Sequence, residues 1–190
     1  MLCEPVLNTG LLPILSSSQL EQGHLILHHV QADSDLPLIF DLLKSETAQN
    51  WEYQQLLDGF RDSFAYIAGS HTSQAFMVML DDLSIFEIEA HEARKHEELH
   101  AGFVPLEGDY YITLFTGELD KADLSVYVLG LKLCLDYFFS FPEVRRIIAP
   151  LFIGKDRALR AKLLEEAGIR PFLPKSLPKE PDLLIITRPL

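Results

Sequence analysis

The chain has 190 residues, of which 48% are hydrophobic, and its mean hydropathy is slightly positive. That length suits one domain with a full-sized core, and that composition excludes a disordered chain. The formal net charge of −12 disfavours nucleic acid or anionic lipid as a partner, and opposes a polyanionic ligand unless a local basic patch offsets it.

Residues 1–190 read as a single domain in which 1–22 form an N-terminal extension. Met1 to Pro13 carries no basic n-region and no small-residue cleavage site, so no secretory signal is expected. Gly23 to Gln31 reads as a strand, with Leu25, Leu27 and His29 on one face and His24, Ile26 and His28 on the other. Ser34-Asp35-Leu36-Pro37 then opens a helix, Ser34 as cap and Pro37 in the first turn. Trp51, Leu56, Phe60, Phe64 and Ile67 recur at helical spacing, and Gly69-Ser70 ends that helix. Ala75 to Leu80 and Ser84 to Ala90 are strand-like runs joined by an Asp81-Asp82 turn.

A polar connection rich in His and Glu runs from His91 to about Phe103 and leads into an apolar strand entered through Gly108-Asp109. Ser125 to Phe141 is a long apolar helix capped by Ser125 or Asp123. The apolar run Leu124 to Phe141 is interrupted by Lys132 and Asp136, which argues against a membrane span. Val144 to Ala149 is a buried-type strand, Lys155 to Ala167 an amphipathic helix ended by Gly168, and Asp182 to Thr187 a last strand after the Pro-rich stretch Pro171 to Pro181. The order predicts a mixed α/β fold with one central sheet. The two cysteines, Cys3 and Cys134, sit in a terminus and on an apolar helical face, which fits a reduced, cytoplasmic protein.

Several fragments, in order, resemble the GNAT N-acyltransferases, in particular the branch that acylates hydroxylated amines in siderophore biosynthesis. They are Asp35-Leu36-Pro37-Leu38-Ile39, Trp51, Ile85-Phe86-Glu87-Ile88-Glu89, Gly108-Asp109-Tyr110, Phe141-Pro142-Glu143-Val144-Arg145-Arg146-Ile147-Ile148 and Leu164-Glu165-Glu166-Ala167-Gly168-Ile169. Their order and spacing, from about His24 to the C-terminus, carry the resemblance. It implies a GNAT-like α+β fold, with a central mixed, mainly antiparallel sheet flanked by helices. It further implies acetyl-CoA or another acyl-CoA as co-substrate, a small-molecule amine or hydroxylamine as acceptor, and no metal.

Under this resemblance Glu87 matches the family glutamate near the acceptor, with Trp51 and Asp109 as further substrate-side residues. Phe115, Thr116 and Gly117 would hold the pantetheine arm by sheet-like hydrogen bonds, with Ser125 at the start of the next helix. His91 would be a candidate base and Tyr127 a candidate acid for the departing thiolate. The departures are equally specific. The family's catalytic histidine position is Thr113, and a Thr hydroxyl cannot replace imidazole as a base near neutral pH. The Glu-Pro-Asp-x-x-Asn segment aligns with Pro150 to Lys155, putting Phe152 and Lys155 where the family has Asp and Asn. The pyrophosphate loop aligns with Glu118 to Ser125, which has no glycine and sets three acidic residues against one lysine. A catalytically impaired GNAT-like module that binds a protein partner or small ligand is therefore the alternative reading; a homodimer is compatible with either.

Other constellations have plainer explanations. His96-Glu97-Glu98-Leu99-His100 matches H-E-x-x-H, with Glu118 downstream as a third zinc ligand. Glu92, Arg94, Lys95 and Glu98 surround it, so an exposed linker is favoured over a zinc hydrolase. His24, His28 and His29 lack a Cys or Asp at ligand spacing and read as strand-surface histidines. Glu87 and Glu89 share one strand face, which is either the acceptor side or a solvated surface with Phe86 and Ile88 turned inward.

Overall fold

A computed structural model of the chain describes residues 14–47, 53–95, 104–116, 122–150, 157–172 and 183–188. Among them, strands β1 (Ile14–Leu20), β2 (Gly23–His29), β3 (Ser73–Leu80), β4 (Leu83–Glu92), β5 (Asp109–Phe115), β6 (Arg146–Pro150), β7 (Arg170–Phe172) and β8 (Leu183–Thr187) form one sheet in the order β1-β2-β3-β4-β5-β6-β8-β7. Every pairing is antiparallel except β5 with β6. Helices α1 (Ala32–Thr47) and α2 (Tyr53–Gly69) cover one face of the sheet, and α3 (Leu124–Ser140) packs on the other. Helix α4 (Arg157–Glu166) packs beside α3.

Period-two alternation divides the strands between two apolar layers. Leu27, Phe76, Val78, Phe86, Ile88 and Ile112 face α3, meeting Val126, Tyr127, Leu131 and Phe138. Ala75, Met77 and Met79 face Ile39 and Leu42 of α1 and Phe64 and Ile67 of α2. Gly130 lets α3 lie close to the sheet: a Cβ there would sit 2.9 Å from Phe86 Cε1 and 3.0 Å from Val78 Cγ1. Cys134 is fully buried in the first layer, and burial pushes its thiol far above the ordinary range.

Three features depart from the sequence-based expectations. Residues 14–20 of the expected extension are strand β1, antiparallel to β2. Its Ser16-Ser17-Ser18 run conceals it, because an edge strand needs little apolar surface and Leu15 and Leu20 suffice to seat it on the core. Helix α1 begins at Ala32 rather than after Ser34. The Gln31 carbonyl accepts from the Asp35 N–H at 2.8 Å while the Asp35 carboxylate accepts from the Gln31 N–H at 2.8 Å, a reciprocal closure of the first turn. The Pro-rich stretch begins with β7, where Pro171 is tolerated because, among the described residues, β7 is an edge strand paired with β8. No helix among the described residues is long and apolar enough to cross a membrane.

Candidate active site

Three rungs of the α1/α2 face of the sheet carry the chemistry. Register places Met77, Glu87 and Phe115 on the first, Ala75, Glu89 and Thr113 on the second, and Ser73, His91 and Tyr111 on the third. Neighbours on one rung have Cβ atoms about 5 Å apart, so Glu89 stands directly beside Thr113.

Glu87 is completely buried, and neither carboxylate oxygen has a hydrogen-bond partner among the described residues. This removes the solvated-surface alternative: Phe86 and Ile88 do turn into the α3 layer, but α1 covers the other side of β4 as well. Burial above all, and the Glu89 charge second, push the Glu87 carboxyl well above the usual carboxylate range. Burial without a hydrogen-bond partner among the described residues disfavours the charged form and favours the neutral acid.

The imidazole of His91 links the next two rungs. Its Nδ1 lies 2.9 Å from Ser73 Oγ and its Nε2 lies 3.3 Å from Glu89 Oε2. His91 continues β4, which runs on to Glu92 instead of ending before a loop. Sequence reading singled out His91 alone, because Ser73 is eighteen positions away and only the hairpin register brings it opposite.

Beside these rungs the sheet opens. Among the described residues, β5 and β6 pair only at Asp109–Arg146, Tyr110–Ile147 and Tyr111–Ile148. Beyond that, β5 stays on β4 as far as Phe115, while β6 follows β8 through Ala149 and Pro150. The strands part into a wedge whose β5 side runs from Ile112 to Thr116. Leu114 turns its carbonyl into the wedge, where Arg160 Nη1 of α4 reaches it at 3.4 Å. Arg160 escaped sequence reading, since one cation on an amphipathic helix carries no signal of its direction. Phe115 packs towards Met77 on the α1/α2 side and Thr116 is fully buried. Helix α3 starts nearby with Asp123 as N-cap, which makes no side-chain capping bond, and Ser125 exposed in the first turn.

Other expected site residues are placed elsewhere. Asp109 is buried and its carboxylate accepts from Arg146 at 2.6 Å and 2.5 Å and from the Leu106 N–H at 2.7 Å. It closes the turn at Gly108, whose φ of +84° and whose carbonyl, accepting from the Arg145 and Arg146 N–H groups, set the start of β5 against β6. Tyr127 is fully buried in the α3 layer, on the opposite face of the sheet from Glu87, Glu89 and His91. The histidines of β2 are not all on the surface: His28 is buried, its Nδ1–H donating to the His29 carbonyl at 2.9 Å with Asp35 Oδ2 at 3.7 Å. His29 stacks on Phe76, and burial, with the His28 charge second, lowers its pKa. Trp51, Gly117, Phe152, Lys155 and the His96–His100 motif lie outside the described residues. Among the described residues no group of three or more His, Cys, Asp or Glu side chains is arranged to hold a metal ion.

No family model matches the chain, and no curated protein matches it. Solved structures do. An uncharacterised protein of Bacillus halodurans superposes with a TM-score of 0.68 at 15% identity, covering 92% of this chain and 91% of its own. Aminoglycoside acetyltransferase AAC(6')-Ib in complex with coenzyme A gives 0.66 at 17% identity, covering 86% of this chain and 95% of its own. Mycobacterium smegmatis RimJ in complex with CoA-disulfide gives 0.63 at 14% identity, with 90% and 85% covered. The chain has the GNAT acetyltransferase fold. The mixed, mainly antiparallel sheet expected from the GNAT resemblance is thus observed, with its single parallel pair at β5 and β6.

Proposed function

We propose that this GNAT-fold chain is an acyl-CoA-dependent N-acyltransferase that acylates a small amine or hydroxylamine. The observation that carries the reading is the wedge between β5 and β6, lying one rung-width from the buried Glu87. A pantetheine arm is a chain of amides, and the β5 side of the wedge would offer it backbone groups as a sheet edge does. Phe115 and Thr116 at the end of β5 would hold the arm, and the α3 N-terminus with Ser125 in its first turn would supply N–H groups to the pyrophosphate. AAC(6')-Ib and RimJ, with the same fold, are structures of coenzyme A complexes.

On the other side of β5, Glu87 would receive the acceptor nitrogen from the α1/α2 side, and Trp51 is proposed as a further acceptor-binding residue. A siderophore-type hydroxylated amine fits this arrangement because its hydroxyl and amine give the buried carboxyl both a donor and an acceptor. A second reading, a GNAT-like module without activity, is favoured by Thr113 at the histidine position and by the acidic loop Glu118 to Asp123.

Titration with acetyl-CoA separates them. At a hundredfold excess over its dissociation constant, a ligand stabilises the fold by about 2.7 kcal/mol, a rise in melting temperature of roughly 5–10 °C for a chain of this size. A melting temperature that does not move with acetyl-CoA or any longer acyl-CoA sinks the transferase reading and leaves the module.

A further inference from the structure

Resting on the transferase reading, we propose that Glu89 is the proton acceptor of the acyl transfer, with His91 and Ser73 as its positioning residues. Together they supply, from β4, the imidazole–carboxylate chemistry that Thr113 does not supply from β5. Glu89 and Thr113 are opposite one another on the same rung, so a group beside Thr113 is also beside the Glu89 carboxyl. The two glutamates of this face are sorted by environment: Glu87 has no exposed surface, whereas the Glu89 side chain keeps 19% of its own. Glu89 therefore keeps a surface from which to take a proton, while Glu87, fully buried, is suited to hold the acceptor by hydrogen bonding rather than to act as the base.

His91 is not itself the base, because both ring nitrogens are engaged. Nε2 faces a carboxylate oxygen, a contact that is attractive when Nε2 carries the proton. Nδ1 is then the lone-pair nitrogen and accepts from the Ser73 hydroxyl, itself buried and fixed by its backbone N–H donating to Ser70 Oγ at 3.1 Å. The ring holds Oε2, leaving Oε1 for the incoming proton. Among the described residues this face also carries the Glu87 carboxyl, the Tyr111 phenol opposite His91 and, farther along the sheet, the Asp109–Arg146 and His28–Asp35 pairs and His24.

The step balances without any other reagent. The acceptor nitrogen's lone pair bonds to the thioester carbonyl carbon, and one N–H proton passes to Glu89 Oε1. The tetrahedral intermediate collapses by breaking the C–S bond, and the proton held on Glu89 is released through solvent to the thiolate, restoring the carboxylate. Amine and thioester become amide and thiol, and the proton lost by nitrogen appears on sulfur.

Two measurements test it on the full chain. Nitrogen-15 spectra of ring-labelled histidine read the His91 tautomer without any turnover: an Nε2–H ring whose resonances move in Glu89→Gln and in Ser73→Ala is expected. An Nδ1–H ring, or one indifferent to both substitutions, overturns the proposal. With acetyl-CoA as donor and hydroxylamine or cadaverine as acceptor probe, Glu89→Gln should lower kcat by about 10²–10⁴-fold with KM for acetyl-CoA unchanged, and His91→Gln should lower it less. Glu89→Gln turning over at the parent rate removes this role and leaves the transferase intact. A parent protein that fails to bind acetyl-CoA removes the transferase reading, and this role with it.

Discussion

Replacing Glu87 with glutamine tests the central electrostatic claim about the site without any substrate. Glutamine has the same shape and cannot ionise, so the pH dependence of the difference between the two proteins isolates one carboxyl. Glu87 lies between Met77 and Phe115 with both oxygens buried and unpartnered among the described residues, and its pKa is raised, by burial first and by Glu89 second. A raised carboxyl pKa means that the folded chain holds a proton that the unfolded chain has released. Its stability contribution is complete below the unfolded carboxyl pKa and is lost as pH climbs towards the folded value. Within that window the wild type loses about 1.4 kcal/mol per pH unit relative to Glu87→Gln, a tenfold change in the folding constant. Urea unfolding followed by circular dichroism at intervals from pH 5 to pH 8 reads this directly. Glu87→Gln should match the wild type most closely at the acid end and exceed it progressively above. A difference that stays constant across the range would show that Glu87 is not held neutral.

Arg146→Met strands the buried Asp109 carboxylate with only the Leu106 N–H and should cost about 3 kcal/mol in urea unfolding; adding Asp109→Asn should recover part of that loss. Gly108→Ala forces a left-handed residue to carry a Cβ only 2.5 Å from the Glu143 carbonyl oxygen, and should lower stability by about 2 kcal/mol or more, read as a drop in urea midpoint. Gly130→Ala sets a helix-propensity gain of up to about 1 kcal/mol against overpacking on Phe86 and Val78 of about 1–3 kcal/mol, so a net loss near 1 kcal/mol is expected. A stabilised Gly130→Ala would mean that α3 can lift from the sheet.

Much of the fold was legible because local rules and tertiary structure agree along most of the chain. The β3–β4 hairpin combines period-two apolar runs with an Asp81-Asp82 turn, and Asp81 does adopt a φ of 49° there. The end of α4 was legible from Gly168, which has a φ of +95°. Strands β1 and β7 were not, because edge strands draw their stability from the strand they pair with, and their own residues need no apolar signature.

For the site, sequence alone determined that Glu87 and Glu89 share a strand face, whatever surrounds them, whereas the fold extended that strand to bring His91 onto the same face. Only the tertiary structure decided what those side chains experience. Closure of α1 over β4 made Glu87 a neutral buried acid, hairpin register brought Ser73 to His91, and the parting of β5 from β6 opened the wedge beside them. Facing is a property of one strand's own geometry, whereas burial, pairing and openness depend on segments that meet only once the chain has folded.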